Sequence, residues 1–312
     1  MIKILNNSIY IIMYHFVREI KKSNYRNLKG LEFSSFKKQI DFLKKKFNIL
    51  NYSDLIEILN TKKIPKKPSV ILTFDDGYND HYKYVYPYLL KNNISGFFYP
   101  VASSVMKNKI LNANILHFIL EKETNSKKLL ELINFYLKKY LNKNISELDL
   151  SNANLKSRFD DKNTVLFKQL LQYIIPKNIS AKIINKIFED IMNIKKEIFF
   201  ENFYLSNQKI QEMYSDNMHF GIHGYNHDWL EYLNKEKQCQ EILKSINFFK
   251  KINLNLSKLS ICYPFGSYNQ DTIRIVKKLK INFGLTSVPG RITMKNVDKK
   301  FIFPRFDTND FL

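Results

Sequence analysis

Short β-rich runs recur along the chain and are mostly followed by helix-like segments. They are SIYIIMYHFV, FNIL, SVILTF, ISGFFYPV, MHFGIHG, LSICYP, INFGLTS and KKFIFPRF. Several are apolar on both faces, as strands covered on both sides of a parallel sheet must be. The intervening text supplies crossovers. In FSSFKKQIDFLKKKF, residues Phe33, Phe36, Ile40, Phe42 and Leu43 fall near helical spacing, and NKEKQCQEILKSINFFKKI opens on Asn234 as a cap and repeats apolar residues at Ile242, Ile246 and Phe249. Repeated β-then-α units predict an α/β fold around a parallel sheet, open or closed into a barrel. Between residues 105 and 205 the pattern changes to Lys-, Asn- and Leu-rich helical text without glycine. That stretch reads as a helical insertion or subdomain, leaving residues 1–104 and 206–312 to build the β/α part.

Composition bounds the partners more loosely. The chain has 312 residues, 45% hydrophobic and 14% aromatic, enough to fill a core. Its 50 basic and 29 acidic side chains leave a net charge of +21, and residues 1–67 alone hold 15 Lys/Arg against 5 Asp/Glu. Such a balance favours polyanions or anionic membranes. The heavier reading is a compositional bias towards Lys, Asn and Ile, with lysines solvating the surface. Cys239 and Cys262 stand in unrelated contexts and suggest core thiols in a reducing compartment. No signal peptide is read at the N-terminus, and no apolar stretch approaches the ~18 residues of a membrane span. The expectation is a soluble, cytoplasmic protein, either free or held at a membrane surface.

Three stretches carry chemistry. TFDDG, residues 73–77, ends an apolar strand on Asp75 and Asp76. Asp-Gly alone is an ordinary turn, and paired acids at a strand end are usually just hydrated. HFGIHGYNHDWL follows another predicted strand and spaces His223 and His227 four apart, so that a helical turn would face both imidazoles to one side. Two histidines and a carboxylate are a common open metal set. LSICYPFGSYN is again strand then turn, and Pro264 and Gly266 can aim a peptide N–H at a developing negative charge.

Taken together, TFDDG, HGYNH and YPFG resemble the three motifs of the NodB-homology polysaccharide deacetylases, carbohydrate esterase family four. The resemblance covers residues 1–104 and 206–312 and leaves the helical stretch outside. It implies a distorted seven-stranded (β/α) barrel, with the site at the carboxyl ends of the strands. It also implies that Asp76, His223 and His227 hold a divalent metal, most often zinc. Asp75 would be the general base, and the backbone N–H of Phe265 would stabilise the oxyanion. The family's usual late Leu-x-His acid is missing, because no histidine follows His227. A subgroup acting on poly-N-acetylglucosamine resembles a circular permutation that places this histidine in an early Tyr-His strand, and Tyr14-His15 matches it. His15 is therefore assigned as general acid. The arginine that usually precedes the Pro-x-Gly turn is replaced by Cys262, and Arg305 in FPRFD is the candidate to steady Asp75 in its place. His81 reads as a surface or capping residue and His117 as helix packing. His219 falls where the family has a polar strand residue, and all three are left outside the site.

The resulting expectation is a metal-dependent deacetylase acting on the acetamide of an N-acetylated sugar in a surface glycan or its precursor. The substrate could be a saccharide, a lipid-linked intermediate or a nucleotide sugar. The alternatives are a deformylase or O-deacetylase on a related sugar, and a catalytically silent glycan-binding barrel. No nucleic-acid motif supports a nucleic-acid partner.

Overall fold

Eight consecutive residues, Ser69–Asp76, are all buried and form the central strand. The computed structural model describes every residue except Met1, Asn152, Asn154, Lys156, Arg158, Phe159 and Leu312. Its strands in chain order are β1 (Ile9–Tyr14), β2 (Val17–Arg18), β3 (Leu31–Glu32), β4 (Asn48–Ile49), β5 (Ser69–Asp76), β6 (Phe97–Pro100), β7 (His219–Phe220), β8 (Ile261–Cys262), β9 (Gly284–Leu285), β10 (Arg291–Ile292) and β11 (Phe306–Asp307). Because side chains alternate along a strand, β5 feeds two apolar layers. Val70, Leu72 and Phe74 join Phe36, Ile40 and Leu43 of the helix Phe33–Lys46, whereas Ile71 packs with Ile11, Phe97, Leu285 and Phe303.

The main sheet has seven strands, in the order β10-β1-β5-β6-β7, with β11 also paired to β1 and β4 to β5. All of these pairings are parallel except β1 with β10. The fold is thus mixed α/β with a parallel sheet, and the expected closed barrel is corrected: among the described residues the ladders do not close. Strands β8 and β9 form a separate pair, tied on by the isolated bridges Ile222–Ile261 and Leu285–Phe303. The strands at this side are only two residues long, and Pro264 and Pro304, which lack an N–H, interrupt the runs after Cys262 and Phe303.

Two compact units divide the chain. The first comprises Met1–Glu19, Gly30–Lys109 and Asn202–Leu312 and holds every strand. The second comprises Ile20–Lys29 and Ile110–Glu201. Among its described residues it is helical, with Asn112–Lys122, Ser126–Leu141, Lys162–Gln169 and Lys177–Met192 burying Ile115, Ile119, Ile133, Phe167, Ile184 and Phe188. The sequence reading did not anticipate that residues 20–29 group with it. The predicted cap is present: the Asn234 side chain accepts the Lys237 N–H at 2.9 Å and starts the helix Lys235–Lys251. No helix among the described residues is long and apolar enough to cross a membrane.

Candidate active site

Strand β5 ends on Asp75 and Asp76, which regular pleating would send to opposite faces. The alternation breaks at Asp76, whose φ is +69°, followed by Gly77 at +73°. A Cβ on Gly77 would lie 2.6 Å from Pro100 Cβ, so glycine alone fits there. The backbone is also left-handed at His227 (φ 61°) and Phe265 (φ 58°). Non-glycine residues held in this region store strain, which concentrates at functional sites.

Asp76, His223 and His227 converge. Nε2 of His223 stands 3.5 Å and Nε2 of His227 3.4 Å from Asp76 Oδ1, with all three side chains nearly buried. Nδ1 of His223 is 2.7 Å from the Cys262 carbonyl, which can only accept, so Nδ1 carries a proton and Nε2 is the ring nitrogen turned to the carboxylate. Burial opposes charging of both rings. It takes His227 down to about 3, whereas Cys262 beside the ring and the Asp76 and Asp75 carboxylates lift His223. For Asp76 the cost of burial is outweighed by the two histidines, holding it well below the usual carboxylate range. The donor set fits a divalent cation. Ligands about 2.0–2.1 Å from one tetrahedral ion lie about 3.3 Å from one another, close to the spacings found. The Tyr78 hydroxyl donates to Asp76 Oδ2 and orients the carboxylate.

The expected helical turn across His223 and His227 is not formed. Residues 223–227 are a loop with left-handed Gly224 and His227. The buried Glu241 carboxylate holds that loop, accepting the Tyr225 and Asn226 N–H groups at 3.1 and 2.7 Å and the Asn226 amide at 2.6 Å.

Asp75 lies beside this set in a different environment. Arg305 donates to both its oxygens, Nη1 to Oδ1 at 2.9 Å and Nη2 to Oδ2 at 2.8 Å. The guanidinium is itself fixed, with Nε on the Thr286 carbonyl at 2.8 Å and Nη1 on Thr73 Oγ1 at 3.1 Å, and is 2% exposed. The Cys262 thiol reaches Asp75 Oδ2 at 3.5 Å. Burial pushes the Asp75 carboxyl up, but Arg305, helped by His223 and His15, prevails and holds it at about 2. His15 Nε2 stands 4.0 Å from Asp75 Oδ2 with its side chain 43% exposed, at the open side of the site. Its neighbour Tyr14 points the other way, stacked on Phe74 at 4.9 Å and donating to Gln39 at 2.6 Å. The Phe265 ring meets His227 at 4.4 Å and stacks on Trp229 at 4.3 Å, so the side chain borders the candidate metal-ligand set. The structure therefore brings Asp75, Asp76, His15, His223, His227, Phe265 and Arg305 to one place. Tyr78 and Glu241, which sequence reasoning passed over, and His81, which it set aside, support them.

Of the excluded histidines, His81 is placed differently from the reading, whereas His219 lies in a strand as expected. His81 is no surface residue: it is fully buried, with Nε2 2.8 Å from the His15 carbonyl. His219 is buried at the start of β7, stacked on Tyr52 at 4.4 Å and bonded to Ser260 Oγ at 2.8 Å. Burial, reinforced by Lys258, drives its pKa down to about 3. Since the unfolded value is near 6.5, the unfolded chain binds more protons below that pH. Stability should therefore be intact above about pH 6.5 and fall by up to about 1.4 kcal/mol per pH unit towards pH 3 through this residue alone. Urea midpoints at pH 7 and pH 5 check this, and His219→Phe should flatten the dependence. An unchanged slope would remove His219 from the account. His117 lies half-buried on the helix Asn112–Lys122.

A model of the family described as polysaccharide deacetylase matches residues 62–132 and 156–284. The chain belongs to this family. The match enters the helical stretch that the sequence reading had set outside, and it leaves out His15 and Arg305, the two residues assigned to departures from the common pattern. Solved structures of similar fold include Streptococcus pyogenes deacetylase PplD in complex with acetate, with a TM-score of 0.59 and 18% identity over 97% of this chain and 92% of that one. IcaB from Ammonifex degensii gives 0.57 and 13%, over 98% and 95%. The de-N-acetylase from Aggregatibacter actinomycetemcomitans gives 0.55 and 15%, over 98% and 100%. At these identities the likeness is one of fold. No curated protein sequence matches. Membership in this polysaccharide deacetylase family supports a hydrolase acting on amides of glycans, and the family's metal dependence has a counterpart in the Asp76–His223–His227 set.

Proposed function

We propose that this polysaccharide deacetylase is a metal-dependent enzyme that hydrolyses the acetamide of an N-acetylated sugar in a surface glycan or its precursor, with zinc as the metal. The observation that carries the reading is the division of labour between adjacent acids, one facing two imidazole Nε2 atoms and the other clamped by a buried guanidinium. A divalent cation at Asp76, His223 and His227 supplies Lewis-acid chemistry, polarising the acyl carbonyl and lowering the pKa of water.

Asp75, ionised and aimed by Arg305, takes a proton from the attacking water. The Phe265 N–H, on its left-handed turn, is the donor for the oxyanion that develops as the carbonyl carbon becomes tetrahedral. When the carbon–nitrogen bond breaks, the electron pair goes to nitrogen, and His15 delivers the proton that lets it leave as an amine. The exposed His15 ring then recovers its proton from solvent. The acetate named with the similar PplD is the product such a reaction would release.

The test is a release screen on N-acetylated, N-formylated and O-acetylated saccharides, with lipid-linked and nucleotide sugars among the candidates. Acetate from amides, lost on chelation and restored by added zinc, is the expected result. Formate or O-acetyl release in preference would reassign the acyl group. A protein that binds metal and sugar yet releases nothing would be a silent binder.

A further inference from the structure

The proton donor in this reading sits on a half-exposed residue just beyond the last rung of β1, where Tyr14 pairs with Phe74 and the ladder stops. Something else must hold His15 in place. The segment immediately after TFDDG does so at three successive points. The Phe16 ring stacks on Tyr78 at 4.2 Å. Arg18 pairs with Asp80 at 2.9 Å. Beside them the His81 ring reaches the His15 carbonyl at 2.8 Å.

His81 pays for this position in solvation. It is fully buried, with the ring centroids of Phe74, Tyr78 and Phe98 within 5.9 Å of its own. Nδ1 is buried without a hydrogen-bond partner among the described residues. A buried imidazole with an unsatisfied nitrogen costs stability that a phenyl ring would not. The His15 carbonyl is an acceptor only, so the proton of the neutral ring must lie on Nε2. Burial supports the neutral form, lowering the pKa to about 4. The backbone is also unusual: His81–Val85 is a single π-helical turn, the kind of local insertion that re-aims a side chain at functional sites.

Building on the proposed reaction, we infer that His81 is a positioning residue for the proton donor, its Nε2–H fixing the His15 backbone so that the exposed imidazole hangs over Asp75. It touches no reacting atom. Its effect must therefore appear only where protonation of the leaving group matters. An acetamide expels an amine and needs that proton, whereas an aryl acetate expels a stable phenolate and does not.

The closing experiment compares wild type, His81→Phe and His81→Gln on an N-acetylated sugar and on an aryl acetate, with metal content measured in each. In His81→Phe the amide-to-ester ratio of kcat should fall by about tenfold to a hundredfold at unchanged metal content, and the Gln amide, which keeps a donor, should restore part of it. Equal loss on both substrates, or no loss on either, overturns the inference. Imidazole nitrogen shifts of the wild-type protein decide the contact independently of turnover: Nε2 protonation supports it and Nδ1 protonation overturns it. A wild type that cleaves neither substrate would sink the proposed reaction, while the tautomer measurement would still decide the His81–His15 bond.

Discussion

Asp76→Ala should empty the site of metal and abolish acyl release, whereas Asp75→Asn should keep its metal and lose turnover about a thousandfold. The two acids are neighbours in sequence but not in environment. Removing Asp76 leaves two imidazoles with no anion of the set to offset a dication, so affinity should fall by at least about a hundredfold. His227→Ala should behave in the same way, because its Nε2 faces the same Asp76 oxygen. Asp75 takes no position in that set. Its amide oxygen would still accept one of the two Arg305 bonds and would keep the cleft filled, but it could not accept a proton from water. Metal analysis beside acetate release on the same preparations separates the cases. Undiminished metal in both Asp76→Ala and His227→Ala would overturn the ligand assignment, and full turnover in Asp75→Asn would overturn the base.

The second large effect is on stability. Arg305→Met should destabilise the fold by about 3–5 kcal/mol at neutral pH, the usual result of leaving one member of a buried ion pair behind. Both partners are about 2% exposed, so solvent does little to screen the remaining Asp75 charge. The pH dependence carries the sign. In the native protein Asp75 lies at about 2, below its unfolded value of 3.8, so the pair's stabilisation is present above about pH 4 and disappears as pH falls towards 2. Without Arg305, burial dominates and lifts the carboxyl above its ordinary value, reversing that contribution. Denaturant midpoints should therefore differ most near pH 7 and draw together below pH 4. The acid limb of the rate profile should move upward as well. A midpoint gap independent of pH would show that lost packing, rather than lost charge pairing, governs the variant.

What could be read in advance depended on how local the cause was. TFDDG declares itself because the strand, the acids and the glycine are contiguous, and Asn234 because a cap is a three-residue event. The convergence of His223 and His227 was visible in their spacing, but its cause was not. Periodicity assumes one backbone hand, while Gly224 and His227 adopt the other, held by a glutamate on a later helix. His81 was misread for a similar reason, since its partner is a main-chain carbonyl 66 positions earlier, which no side-chain pattern encodes. The unclosed sheet follows from strands of two residues, too short for alternation to declare a register. His15 and Arg305 were named only by asking what must replace missing family residues.

The clamp on Asp75 also has a temporal side. Its guanidinium is 230 residues downstream of the carboxylate it holds. Synthesis proceeds from the N-terminus at about 5–20 residues per second, so Asp76, His223 and His227 all leave the ribosome seconds before Arg305 does. A nascent chain could thus capture its ion while the neighbouring carboxylate is still unrestrained. Translation products interrupted in that interval would sequester metal without turning over substrate, and hydrolytic competence would arrive last, with the strand that carries the arginine.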